Sequence, residues 1–263
     1  MSVPPPPPEL RDPPDLELAE EKLRDLADQL EETHYSDLIT AREIHVDRAA
    51  GDDANRGRPN DPLKTLDAAV ALGLNYLRTR IILAPSQVYP FNQRHAADFK
   101  FIEIVSEAAA PGDYPIIQVA SQPGDDCAGF DCRASFFNLE KLIVNPPVPE
   151  SGAVSGNGPA TAMFHAEQLG HAWVSAENCI FNLRETALLR AGEGGFVSFA
   201  GQTVTFNNSS TIGQATLLII EGGLAALTVQ AASGNPNILA LRVRGKIAAA
   251  DGEYTNLITN LNA

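Results

Sequence analysis

Hydrophobic and polar positions change texture twice along this chain. Leu16, Ala19, Leu23, Leu26 and Leu30 recur at alternating spacings of three and four, which places them on one seam of a helix with charged flanks, as in a short coiled coil. Thr33 and Asp37 end the pattern, so the helix predicted over 16–36 is too short to be stable without a further interface. From Arg42 the period shortens: Ile44 and Val46 alternate with polar residues as a strand does, and a polar, turn-forming run follows. A short helix is predicted next, with Leu66, Ala69 and Val70 on one face, Thr65 capping its start and Gly73 ending it.

Beyond residue 80 the pattern becomes repetitive. Strands are predicted at 80–83, 101–105 and 116–119. Ala162-Met163-Phe164-His165-Ala166 then matches Ala187-Leu188-Leu189-Arg190-Ala191, and 216–220 and 238–241 look like later copies. A second series sets Trp173-Val174-Ser175 against Phe196-Val197-Ser198, and Cys179-Ile180-Phe181-Asn182 against Val204-Thr205-Phe206-Asn207. Spacings of roughly 22–28 residues suit one coil of three short strands with their turns, and the richness in Val, Ile, Leu and Phe suits buried parallel strands. Asn145, Asn182 and Asn207 close their strands where side-chain amides can stack from coil to coil. A Gly, Pro and Ser rich stretch at 146–159 reads as a surface loop.

One segment carries a resemblance. Ile44-His45-Val46-Asp47, then Gly51-Asp52-Asp53-Ala54-Asn55-Arg56-Gly57, then Asp61-Pro62-Leu63-Lys64-Thr65-Leu66 resembles the N-terminal entry of pectate-lyase-like right-handed parallel β-helix proteins, a superfamily that includes phage tailspikes and head spikes. The resemblance covers about thirty residues, and it implies that Asp47, Gly51, Asp53, Asn55, Gly57, Pro62 and Thr65 serve the fold and not an activity. The expected architecture is therefore all-β: a Pro-rich extended arm over 1–15, an amphipathic helix over 16–36, and a right-handed parallel β-helix over 42–263 with its capping segment at 42–74.

Composition narrows the function. A net charge of −14, with acids crowded between Asp12 and Glu32, leaves no basic footprint for nucleic acid. The five prolines Pro4 to Pro8 predict an extended spacer, not a secretory signal. No apolar run approaches the roughly 20 residues that span a bilayer, so neither membrane insertion nor export from the cytoplasm is expected. Cys127, Cys132 and Cys179 are read as buried thiols, since an odd number does not complete a disulfide set.

Few residues offer chemistry. Asp52, Asp53 and Asn55 have oxygens that suit calcium, yet turn formation accounts for them, and neither a metal nor a cofactor is expected. His165 and Glu167, two apart, share a face, and Arg190 stacks one coil beyond His165; the group suits either a glycan or a solvated polar ladder. Asp125, Asp126 and Asp131 read as a loop beside Gly124 and Gly129. Trp173 is a second glycan-binding candidate, although its match to Phe196 favours the core.

These features lead to the expectation of a virion spike or fibre, made in the bacterial cytoplasm and carried on a phage or gene transfer agent particle. Its partners would be its own copies in a homotrimer, joined partly through Leu16, Ala19, Leu23, Leu26 and Leu30, capsid or tail proteins held by residues 1–36, and a host-surface polysaccharide. The alternative expectation is a polysaccharide lyase or glycoside hydrolase. A purely structural decoration protein is a third reading.

Overall fold

The structure, a computed structural model, describes residues 41–122, 126–147, 162–184, 186–209, 215–231, 242–244 and 256–259. The predicted arm and helix, with the trimerisation seam Leu16 to Leu30, lie outside the described residues, as do most of the predicted surface loop and the repeat at 238–241.

Among the described residues two sheets account for nearly all the regular structure, and every strand pairing within them is parallel. One side of the larger, twelve-stranded sheet holds β1 (Arg42–Val46), β2 (Arg78–Leu83), β5 (Phe101–Ser106), β10 (Ser135–Glu140), β13 (His171–Glu177), β16 (Phe196–Asn208), β18 (Leu224–Ala231) and β20 (Leu257–Thr259). Its other side holds β3 (Val88–Phe91), β6 (Ile116–Val119), β11 (Ile143–Asn145) and β14 (Ile180–Leu183). The second sheet runs through β4 (Arg94–Asp98), β9 (Gly129–Arg133), β12 (Phe164–Ala166), β15 (Leu189–Ala191), β17 (Thr216–Ile220) and β19 (Arg242–Arg244). A small antiparallel pair, β7 (Ser121–Gln122) and β8 (Asp126–Cys127), stands apart.

This topology corrects the predicted fold. The open triangular solenoid of the pectate-lyase-like and tailspike type is replaced by a curled, near-closed, two-sheet barrel arrangement. The physical reason lies in β16, which runs unbroken for 13 residues, pairing with β13 and β18 along its first part and with β14 along its last. The bend occurs within the strand, at a register shift between Gln202 and Val204, where Thr203 adopts φ +54°, so two sides that a turn would have separated belong to one sheet. The family resemblance drawn from the entry motif is corrected with the fold. Among the described residues there is one α-helix, α1 (Leu66–Gly73), which is the short helix predicted after Thr65.

The entry residues have local duties in this setting. Asp47 Oδ1 accepts from the backbone N–H groups of Ala49 and Ala50 and from Gln87 Nε2, at 2.8–3.0 Å. Asp53 accepts from Lys64 N, Thr65 N and Thr65 Oγ1, and Asn55 Nδ2 donates to Pro62 O. Thr65 Oγ1 in turn accepts from Ala68 N and caps α1. Any side chain at Gly51 would meet the Leu63 carbonyl oxygen at 2.2 Å, so only glycine fits that crossing. With both Asp53 oxygens engaged in this way, the predicted turn role has a direct geometric account.

The core follows from alternation along the strands. Phe137 and Leu139 point inward from β10, Ala172, Val174 and Ala176 from β13, and Phe130 and Cys132 from β9. Phe130 stacks on Phe164 at 5.6 Å between centroids and lies 4.7 Å from Phe137, while Phe181 stacks on Phe206 at 5.4 Å. Each such ring contributes about 1.5–3 kcal/mol by leaving water. The amide stack predicted for Asn145, Asn182 and Asn207 is present: Asn207 donates to Asn182 at 2.8 Å, Asn182 to Asn145 at 2.7 Å, and Asn145 to Gln118 at 3.2 Å.

A candidate acid–base cleft

Parallel register on the second sheet brings chemistry into line. Ala96, Asp131, His165, Arg190 and Ile219 are successive register partners on β4, β9, β12, β15 and β17. Their neighbours His95, Phe130, Phe164, Leu189 and Leu218 are all buried, and Phe91, Phe130 and Phe164 stack around them inside. Alternation therefore puts Asp131, His165 and Arg190 together on the opposite, outer side.

His165 sits at the centre. Its side chain is 7% exposed, its Nδ1 lies 3.2 Å from Asp131 Oδ1, and its Nε2 lies 3.4 Å from Glu167 Oε2. An ionised carboxylate only accepts, so the contact with Asp131 puts the proton on Nδ1. Nε2 is buried and its approach to Glu167 is not aligned as a hydrogen bond, which leaves that nitrogen without a hydrogen-bond partner. Asp131 and Glu167 are each about half exposed. They flank the buried imidazole from opposite nitrogens and open to a cleft of about 270 Å³ whose lining includes Asp98, Arg133 and Gln168.

Arg94 holds Asp131 from below. Its Nε and NH2 donate to Asp131 Oδ1 at 2.9 and 2.8 Å, and its NH1 donates to the carbonyls of Cys127 and Ala162. Burial disfavours the Asp131 carboxylate, but the hydrogen bonds from His165 and Arg94 and the Arg94 charge outweigh it and bring Asp131 down to about 2. Asp131 is thus the group that stays ionised. Cys132, also lining the cleft, is 3% exposed, and burial pushes its thiol well above the usual range, so it is not a nucleophile.

Glu167 reaches His165 because of what stands beside it. Gly192 follows Ala191, the register partner of Ala166, and donates from its N–H to Ala166 O. A Cβ at that position would lie 2.9 Å from Glu167 Cβ and 3.3 Å from His165 Nε2. The missing side chain is the space into which Glu167 folds.

The predicted candidates separate in space. His165 and Glu167 come together as expected, whereas Arg190, the register partner of His165, turns to Glu221 at 2.8 Å. Trp173 lies on neither the cleft nor the core. It stands on the outer side of β13, stacked on Phe136 at 4.4 Å and 9°, between the inward residues Ala172 and Val174. The match that favoured a core position is two residues out of register: Phe196 pairs with His171 and Trp173 with Ser198. Asp131, predicted to lie in a loop, is in β9. The available signal was the alternation Phe130-Asp131-Cys132, which copies Phe164-His165-Ala166.

Among the described residues no group of three or more His, Cys, Asp or Glu side chains is arranged to hold a metal ion, and no helix is long and apolar enough to cross a membrane. Comparison with protein-family models, with curated proteins and with solved structures found no match in any of the three.

Proposed function

We propose that this protein cleaves glycans by hydrolysis, with Asp131, His165 and Glu167 as its acid–base apparatus. The observation that carries the reading is the buried imidazole with a carboxylate at each nitrogen, the two carboxylates opening to one cleft. The imidazole ring between them sets the two acids well apart, as inverting hydrolysis requires, where the carboxyl groups stand about 6.5–9.5 Å from each other to leave room for a water. Asp131, held ionised, takes a proton from that water as its oxygen attacks the anomeric carbon. The glycosidic C–O bond breaks, and the departing oxygen receives a proton from Glu167 acting as the general acid. His165 positions both acids, and exchange with bulk water, open to both half-exposed carboxyl groups, removes the proton from Asp131 and returns one to Glu167, which closes the cycle.

Lyase chemistry fits less well. Its substrate carries a uronate carboxylate, and Asp98, Asp131 and Glu167 all border this cleft, so like charges oppose that substrate. Incubating the protein with a panel of glycans and following products by proton NMR tests the reading. It expects saturated products released first as a single, inverted anomer. Unsaturated uronates, or no product from any glycan, would contradict it.

A second reading, a virion spike that grips a host-surface polysaccharide without cutting it, has one observation in its favour. Phe136, Leu224 and Ile258 are 44%, 54% and 76% exposed on the larger sheet, and exposed apolar side chains of this kind suit contact between copies of this chain. In this reading the spike is a homotrimer that meets capsid or tail proteins through residues 1–36. Light scattering on the full chain tests it: a trimer supports the spike, and a monomer at high micromolar concentration argues against it.

A further inference from the structure

Two charged residues at the rim of the cleft remain outside the acid–base group. Asp98 on β4 and Arg133 on β9 are register partners on adjacent strands, both exposed and both lining the cleft. Opposite charges placed this way ordinarily pair, yet the described structure gives neither side chain a hydrogen bond or an ion pair. Asp131 is satisfied by Arg94 and His165, and Arg190 by Glu221, so the cleft's other charges do not engage them. An exposed carboxylate and an exposed guanidinium gain little from each other in water, which leaves both able to turn to a ligand. A carboxylate accepts from two hydroxyls, and a guanidinium donates to two oxygens in a fixed fork.

We infer that Asp98 and Arg133 form a sugar-binding subsite that grips vicinal hydroxyls of an uncharged hexose unit beside the acid–base group. This inference rests on the hydrolase reading, which it deepens by naming the substrate class. Charge decides that class. Asp131 is paired with Arg94 and Glu167 brings the acid proton of the hydrolase reading, so the uncommitted charges beside the cleft are Asp98 and Arg133, which cancel. A uronate or an amino sugar would gain from one of the two only by meeting the other's like charge, whereas hydroxyls meet both an acceptor and a donor without bringing a charge of their own.

Binding and turnover separate the inference from the reading beneath it. Calorimetry with the full chain uses a neutral oligohexose series, an oligouronate series and chitosan oligomers, on wild type, Asp98→Ala, Arg133→Ala and the conservative Arg133→Lys. The expected result is binding to a neutral series, weakened about tenfold by either alanine substitution and less by Arg133→Lys, with KM raised by the same factor and kcat changed by less than about twofold. A merely structural role would lower stability without that split. Tightest binding to oligouronates or chitosan, or neutral-sugar binding that both alanine variants leave unchanged, would overturn the inference. Neutral-sugar binding lost in those variants but without cleavage in wild type would sustain the subsite and overturn the hydrolase. Binding to none of the three series would overturn both.

Discussion

The carboxylate of Asp131 meets Nδ1 of His165 at 3.2 Å because the two residues are register partners on adjacent parallel strands. That relationship is fixed by the backbone ladder and not by a loop, so the imidazole's tautomer and ring plane are set before any ligand arrives. Replacing His165 by Asn should keep the fold while removing the link between the two acids. The expected loss in kcat is about 10²–10⁴-fold, with binding of the uncut glycan retained; a variant within about threefold of wild type would remove His165 from the mechanism.

Gly192→Ala tests the space beside Glu167. Its Cβ would press on Glu167 Cβ at 2.9 Å, so Glu167 must swing away from Nε2. The expected outcome is a fall in kcat of about tenfold or more with little change in melting temperature. An unchanged kcat would show that Glu167 acts from another position.

Acid stability reports on Asp131. Its folded value, about 2, lies below the ordinary aspartate value of 3.8, so the stability it contributes is fully present above roughly pH 4 and is lost as pH falls through about 2. The difference in melting temperature between wild type and Asp131→Asn should therefore be largest near neutrality and shrink between about pH 4 and pH 2. A difference that stays constant over that interval would contradict the tie to Arg94 and His165.

The amide stack predicts a loss of stability remote from the cleft. Asn182→Ala leaves Asn145 Oδ1 without its donor and Asn207 Nδ2 without its acceptor. Chemical denaturation should show a loss of about 1–3 kcal/mol, with cleft chemistry untouched. Trp173→Ala behaves similarly, because one face of the indole is turned to Phe136 and the ring is only partly exposed. Its expected signature is reduced stability with unchanged glycan binding, and lost binding would return Trp173 to the ligand site.

Much of this arrangement was legible in the sequence, and the failures have identifiable causes. The match of 162–166 to 187–191 is the true register of β12 and β15, and the amide stack follows from the same repeat. His165 and Glu167 are legible because a two-residue step keeps neighbouring side chains on one side. Asp131 is hidden because the glycines beside it suggest a turn, although Phe130 and Cys132 alternate around it. The overall architecture is not legible at 196–208, where Phe196 through Asn208 carries no Pro or Asn-Gly signal to mark the bend. Periodicity specifies which residues point inward, but not whether a corner is a turn or a bulge inside a continuous strand. Asp98 and Arg133 carried no motif, since their significance lies in being opposite each other and unpaired.

The most direct test of the central claim is the initial rate at which wild type and Glu167→Gln release reducing ends from a neutral polysaccharide the protein binds. Glu167 is half exposed and outside the core, so the substitution preserves the fold. The account predicts steady release by wild type and a fall of about 10² or more in the variant, with both proteins binding the polysaccharide alike. Equal rates in the two proteins, or no release by wild type from a polysaccharide it binds, would contradict it.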